Sequence, residues 1–293
     1  AKSGHIPVLL KEVLEGLDPH PGDIFIDGTV GEGGHSLEIL KKIKPGGILV
    51  GIDWDESILK KAYGKLRDYS RENRIIMEAG NYAEMDSIVA RYGIKKATGV
   101  LLDLGFGTHT LALSGLGFSF QKDEGLDMRY SPKLNQLTAY EIINSWPEKE
   151  IAKIIYEYGE DRNARRIAKV IVSSRRIRKI GSTKELAELV AKAAGFRGKL
   201  HPATKTFQAL RIAVNDELEN LKKGIIAGYN ILNIGGRIAV ISFHSLEDRI
   251  TKNFFKEQKG LRVLTKKPIV ASQEELLKNP RARSAKLRIA QKI

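Results

Sequence analysis

The chain has 293 residues, 42% apolar and 29% charged, a balance that suits a globular protein large enough to hold a substrate cleft. No apolar run nears the roughly 18 residues needed to cross a bilayer, and "AKSGHIPVLLKEVLEGL" at the start lacks the order of a secretory leader, so a cytoplasmic location and no membrane partner are expected. There are no cysteines, which excludes disulfides, thiolate metal sites and a cysteine nucleophile, while a net charge of +14 points to a polyanionic partner.

The first hundred residues alternate short apolar runs with segments of helical spacing. "IFID", "GILVGID", "RIIME" and "GVLLDLG" are predicted strands, and this alternation is the pattern of a parallel sheet covered by helices. A fifth strand, "GRIAVISFH", comes only near residue 237, and one crossover helix cannot fill so long a gap. Something is inserted there, and its spacing is helical. Ile151, Ile154, Ile155 and Tyr158 fall on one face, as do Leu186, Leu189, Val190 and Ala193 behind a capping box from Ser182 to Glu185. The apolar positions from Phe207 through Leu210, Val214, Leu218 and Leu221 to Ile225 keep helical spacing and are expected to return the chain to the sheet. The last two apolar segments, "LRVLTKKPIVAS" and "SAKLRIAQKI", read as a closing pair of strands at the sheet edge.

Charge is regional. Residues 162–211 hold 14 Lys and Arg against Glu185 and Glu188, a net +12, and Lys278 to Lys292 add six more basic residues with no acid. A one-sided block of this kind suits phosphate binding, with a merely solvated surface as the competing reading.

The stretch "DGTVGEGGHS", residues 27–36, follows the first strand and opens a helix, so backbone amides and a helix N-terminus would face a ligand. A P-loop would need Gly-Lys-Ser/Thr, which is absent. A dinucleotide fingerprint, G-x-G-x-x-G/A, would need Gly or Ala where Ser36 follows Gly31 and Gly33, and Asp27 precedes the turn. S-adenosylmethionine fits better, because its ammonium group favours a carboxylate and it has no pyrophosphate. Asp27 suits either that contact or the shaping of the loop. Asp53, closing the second strand, would take the ribose hydroxyls, Tyr82 in "AGNY" would lie beside the adenine, and Asp103 stands at the carboxyl end of the fourth strand.

Seven stretches in order, "HIPVLLKEVL", "DGTVGEGGHS", "GFSF" with "LDMR", "YGEDRNARRIAKVIV", "HPATKTFQALRIAVNDEL", "GGRIAVISFHSLEDRI" and "NPRARSAKLRIA", carry a resemblance over the whole chain. The chain resembles the ribosomal RNA small subunit methyltransferase H family, also called MraW, which methylates N4 of a cytosine in the decoding region of 16S rRNA. The resemblance implies an α/β class I S-adenosylmethionine-dependent methyltransferase, Rossmann-like, with a mostly parallel sheet. It also implies an inserted helical, basic, substrate-binding domain. The methyltransferase domain would span 1–112 and 207–293, and the insertion 113–206. Implied cofactor contacts are Gly33, Gly34, His35, Asp53, Tyr82 and Asp103. The chain departs from the family at "DLGFGTHTLALSGLGFSF", where Thr110 stands at a Gln position and Leu116 at an Arg position; Thr110 is included among the cofactor contacts. The implied partner is 16S rRNA within the small ribosomal subunit, and a homodimer is left open.

The chemistry can be argued separately. Methylating carbon 5 of a pyrimidine normally needs a thiolate, and this chain has none, which leaves transfer to nitrogen or oxygen. An exocyclic amine is a weak nucleophile and needs a hydrogen-bond acceptor beside it. Asp103 is the expected acceptor, or fixes the cofactor beside it, although the Pro-Pro-Tyr motif common in amino methyltransferases is missing. His244 in "SFHSLEDR" is expected to line the base pocket as a second catalytic residue beside Asp103, with a structural role as the alternative. Phe106 and Phe118 would stack on a base or fill core, and His109 is a weaker candidate. His201, Lys205, Arg211 and Asn215 are expected to grip phosphates or to fix helix ends. No metal ligand is assigned, and metal dependence is left open but unfavoured, since the paired acids Asp123 and Glu124 lack ligand spacing. A DNA amino methyltransferase and a catalytically silent, cofactor-dependent RNA-binding assembly factor remain the alternatives.

Overall fold

The structure, a computed structural model, describes residues 6–105, 115–195 and 201–293. It divides into two compact units, Ala1–Gly107 with Leu218–Ile293, and Thr108–Glu217.

The first unit is a seven-stranded sheet. Its strands are β1 (Ile24–Asp27), β2 (Ile48–Asp53), β3 (Arg74–Ala79), β4 (Ala97–Asp103), β5 (Leu232–Ser242), β6 (Leu261–Val263) and β7 (Lys286–Lys292), in the order β3-β2-β1-β4-β5-β7-β6. The first five run parallel, and β7 pairs antiparallel with both β5 and β6. Strands built from apolar, β-branched runs need cover on both faces, and they have it. Phe25, Leu49 and Leu101 face one layer with the helices α1 (Leu10–Leu17) and α2 (Gly34–Ile43), whereas Ile26, Val50 and Leu102 face the other. The alternation follows the two-residue period of a strand. The chain leaves β1 toward β2 and β3, then returns to the other side of β1 as β4. The carboxyl ends of β1 and β4 therefore flank the crevice where doubly wound folds bind ligands.

All five predicted parallel strands form. The closing pair differs: β7 lies inside the sheet between β5 and β6, and only Leu261–Val263 of "LRVLTKKPIVAS" is strand. Pro268 has no N–H to donate, and beyond it Ile269 makes a single bridge to Leu287.

The second unit is helical. Its helices are α5 (Ala139–Ser145), α6 (Glu148–Glu157), α7 (Ala164–Ile177), α8 (Thr183–Ala194) and α9 (Ala203–Asn215), numbered after α3 (Glu56–Leu66) and α4 (Met85–Arg91) of the first unit. Ile151, Ile154, Ile155, Leu186, Val190 and Ala193 are buried as their spacing requires, and Ser182 caps α8 through the Glu185 N–H. Four residues on and beside α7, Arg162, Arg165, Arg166 and Lys169, stand exposed opposite its buried Ile167 and Ile171. The apolar run from Phe207 to Ile225 is not one helix. Asp216 adopts a left-handed conformation (φ 50°) and separates α9 from α10 (Glu217–Ile231). A short polar side chain tolerates that geometry, and the apolar spacing continues across the break.

Candidate active site

The glycine-rich turn is tied to both neighbouring strands. Gly28 N–H donates to Leu101 O (2.9 Å), Val30 N–H to Ile52 O (3.0 Å), and the Asp103 N–H to Thr29 Oγ1 (2.6 Å). Gly33 holds φ at 78°, a region that strains any other residue type except Asn or Asp. At Gly34 a Cβ would come 2.7 Å from Pro7 Cγ, so α2 begins without a side chain and its first amides face the turn.

Three acids close β1, β2 and β4. Asp27, only 2% exposed, accepts Thr29 N–H at Oδ1 (3.2 Å) and Ser36 Oγ–H at Oδ2 (2.7 Å). Burial raises its pKa, against the lowering effect of Ser36, His35 and Thr29. Both oxygens are thus used within the loop, which favours the loop-shaping role over contact with an ammonium group. Asp53 accepts Gly31 N–H at Oδ2 (3.0 Å) and Asp55 N–H at Oδ1 (3.1 Å), and burial pushes its pKa up to about 6. A carboxylate offers about four acceptor positions, so this partly buried group retains capacity for hydroxyl donors. Asp103 accepts Gly105 N–H at Oδ1 (3.2 Å), and its Oδ2 lies 3.6 Å from His35 Nδ1.

The sequence-predicted residues divide accordingly. Gly33, Gly34, His35, Asp53 and Asp103 come together around the crevice. Tyr82 sits just after β3, 8% exposed and packed so closely on α10 that a Cβ at Gly224 would meet its ring at 2.4 Å. His244 follows β5, whose Ile241 pairs with Asp103 in register. Both of its ring nitrogens are buried without a hydrogen-bond partner among the described residues. Its Nε2 lies 3.2 Å from Glu247 Oε1, but without hydrogen-bond alignment, and Glu247 Oε2 instead accepts the Phe243 and His244 N–H groups. Phe106, His109 and Thr110 lie outside the described residues.

In the helical unit several candidates are engaged internally. Phe118 is 9% exposed and stacks on Tyr130 at 5.6 Å, as core. His201 Nδ1 accepts Ala203 N–H at the start of α9, Lys205 Nζ donates to Glu160 O, and Arg211 forms a two-point pair with Glu217. Asn215 joins Tyr130 N–H, Met128 O and Arg211 O. These four fix helix ends and loops, because each finds a backbone group or an acid within reach. The exposed cations of α7 are better placed for phosphates. Glu124 is a loop anchor, accepting Gly117 N–H.

Thr29 and Ser36 were not legible as site residues. In a glycine-rich turn, short hydroxyl side chains look like ordinary turn formers.

A parallel sheet with a glycine turn after β1 and acids closing β1, β2 and β4 defines a Rossmann-like methyltransferase. The donor set fits S-adenosylmethionine: the turn offers backbone amides beside acids at the strand ends, and Asp53 keeps acceptor capacity for a ribose. A family model described as the MraW methylase family matches residues 2–293, and the chain belongs to that family. It is 48% identical over 295 residues to the ribosomal RNA small subunit methyltransferase H of Persephonella marina, covering 99% of both chains. The proteins of the same name from Heliobacterium mobile (45% identical, 99% of both chains) and Carboxydothermus hydrogenoformans (44%, 99% of this chain and 98% of the relative) are similar too.

Proposed function

We propose that this chain transfers a methyl group from S-adenosylmethionine to N4 of a cytosine in the decoding region of 16S rRNA, within the small ribosomal subunit. The rRNA substrate is supported by the names of relatives that match over nearly their whole length. The choice of an exocyclic nitrogen is carried by Asp103, an acid at the end of β4 in a chain with no cysteine.

When bound, the cofactor supplies an electrophilic methyl group. The residues proposed to hold it are Gly33, Gly34 and His35 in the turn, Asp53 for the ribose, Tyr82 beside the adenine, and Asp103 and Thr110. Asp103 also accepts a hydrogen bond from the target amine, which raises electron density on its nitrogen and receives its proton. Its N–H bond to Thr29 and its Oδ1 bond to Gly105 limit its rotation. His244, which follows β5 beside the end of β4, lines the base pocket. The inserted helices of residues 113–206 hold the RNA backbone through the exposed cations of α7, and the methylation takes place in the cytoplasm.

The test offers labelled S-adenosylmethionine with either small ribosomal subunits from cells lacking this protein or duplex DNA. Label in the rRNA alone is expected. Label in DNA alone would point to a DNA amino methyltransferase, and cofactor and subunit binding without transfer would point to a silent assembly factor.

A further inference from the structure

We infer that the His35 ring is a positioning residue for Asp103, set to share the proton that the target amine sheds; this rests on the reading of Asp103 as the acceptor. His35 is the second residue of α2 and 6% exposed. Its Nε2 is 2.9 Å from the Val8 carbonyl oxygen. A carbonyl only accepts, so this bond places the ring proton on Nε2 and leaves a lone pair on Nδ1. Asp103 Oδ2 lies 3.6 Å from that nitrogen. A neutral nitrogen lone pair and a carboxylate attract one another only through a shared proton. The separation is longer than a hydrogen bond, as is common before a substrate arrives.

The surroundings fix this arrangement. Leu9 N–H donates to Glu275 Oε1 (2.7 Å) and Asn279 Nδ2 to Ile6 O (3.1 Å), which pins the segment that carries Val8. The charged groups facing the ring are Asp103 from β4, Asp27 from β1, and Glu275 from the short helix Gln273–Lys278. Burial nevertheless lowers the pKa of His35, and its place in the first turn of α2 also disfavours an imidazolium. The ring therefore waits as a neutral base. Asp27 is not the recipient, since its carboxylate is only 2% exposed and is shielded from a substrate. The ring's burial, with one nitrogen on Val8 and the other toward Asp103, also argues that any cofactor contact at position 35 is made by the backbone.

The proton balance is simple. The amine nitrogen gains the methyl carbon, sulfur keeps the electron pair of the broken carbon–sulfur bond, and one N–H proton is displaced. That proton passes to Asp103 Oδ2, is shared with His35 Nδ1, and leaves to solvent when the methylated RNA dissociates. A second acceptor for the proton beside Asp103 assists its removal from the amine.

The test combines a structural and a kinetic reading on the full chain. In protein labelled with ¹⁵N-histidine, the His35 signals, assigned by H35Q or H35N, should report the Nε2–H tautomer near neutral pH. D103N should lower the midpoint of the ring's titration, because an adjacent negative charge is removed. An Nδ1–H tautomer or an unmoved midpoint would overturn the proposal. H35Q keeps a donor for Val8 but has no base at the Nδ1 position. Its single-turnover rate should fall about tenfold or more and the acid limb of its pH profile should move to lower pH, with the cofactor Kd within about twofold of the parent. A cofactor Kd that rises as much as the rate falls would make the ring a cofactor contact instead. D103N with the parental rate would refute the acceptor reading of Asp103, and does so separately from the ring's tautomer and titration.

Discussion

Replacing Asp53 by Asn tests how the β2 acid is used. The parent carboxylate accepts Gly31 N–H and Asp55 N–H at 3.0 and 3.1 Å, and a bound ribose would add hydroxyl donors to the same two oxygens. Asn has one acceptor oxygen, so its amide nitrogen must face a donor, and the charge assistance is lost. A hydrogen bond to a charged group contributes about 1.5–3 kcal/mol, so D53N should weaken cofactor binding by a factor of about 10 to 150. Burial raises the pKa of Asp53 to about 6 in the free protein, which fixes the sign of the pH dependence. Below pH 6 the group is protonated, the cofactor must displace that proton, and the parental Kd should rise up to about tenfold per pH unit. Above pH 6 this dependence should vanish. In D53N the Asp53 component should be absent at every pH. Calorimetric titration of both proteins with S-adenosylmethionine between pH 5 and 8 reads each of these effects. A D53N Kd within twofold of the parent, or a parental Kd that is flat below pH 6, would refute the assignment.

Other residues make separate demands. S36A removes a hydroxyl donor from the buried Asp27 carboxylate and should cost about 1.5–3 kcal/mol in urea unfolding near pH 8. Because burial already raises the pKa of Asp27, that cost should shrink as the pH falls and the carboxyl becomes neutral; a pH-independent loss would argue against an ionised Asp27. H244A opens a cavity where the ring stood and takes away the neighbour of Glu247 Oε1 at 3.2 Å, so it should cost about 1–3 kcal/mol in stability while slowing transfer about tenfold or more. Loss of stability with a parental rate would return His244 to a structural role. R165A/R166A, on the exposed face of α7, should weaken RNA binding at low salt and reduce the slope of log K against log salt by about 0.7 for each phosphate no longer neutralised, with cofactor affinity unchanged. An unaltered slope would place the RNA elsewhere.

Much of the fold is written in local patterns. "IFID" and "GILVGID" are apolar runs that end in an acid beside a glycine, and they become β1 and β2 with those acids at the crevice. The capping box at Ser182 and the spacing of Ile151, Ile154 and Ile155 are equally local, and helices α6 and α8 follow them. Strand order is not local. The antiparallel β7 lies between β5 and β6 because of pairing across the sheet, which no spacing within "SAKLRIAQKI" encodes. The break at Asp216 is hidden for a related reason, since Val214 and Leu218 keep a four-residue step on either side of one left-handed residue. At the site, the acids were legible but their hydrogen-bond partners were not. That Asp27 is used by Ser36, and that the His35 ring turns from Val8 toward Asp103, depends on side-chain geometry that a glycine-rich string does not specify.

In the proposed reaction an acid at the end of β4, Asp103, directs methyl transfer to an exocyclic amine of cytosine. The most direct measurement digests rRNA from small subunits methylated by the purified protein and identifies the modified nucleoside by mass spectrometry, with D103A run in parallel. N4-methylcytidine is expected from the parent, with a loss of at least about a hundredfold in D103A. A methyl group on ring carbon or ribose oxygen, or N4-methylcytidine formed by D103A at the parental rate, would contradict it.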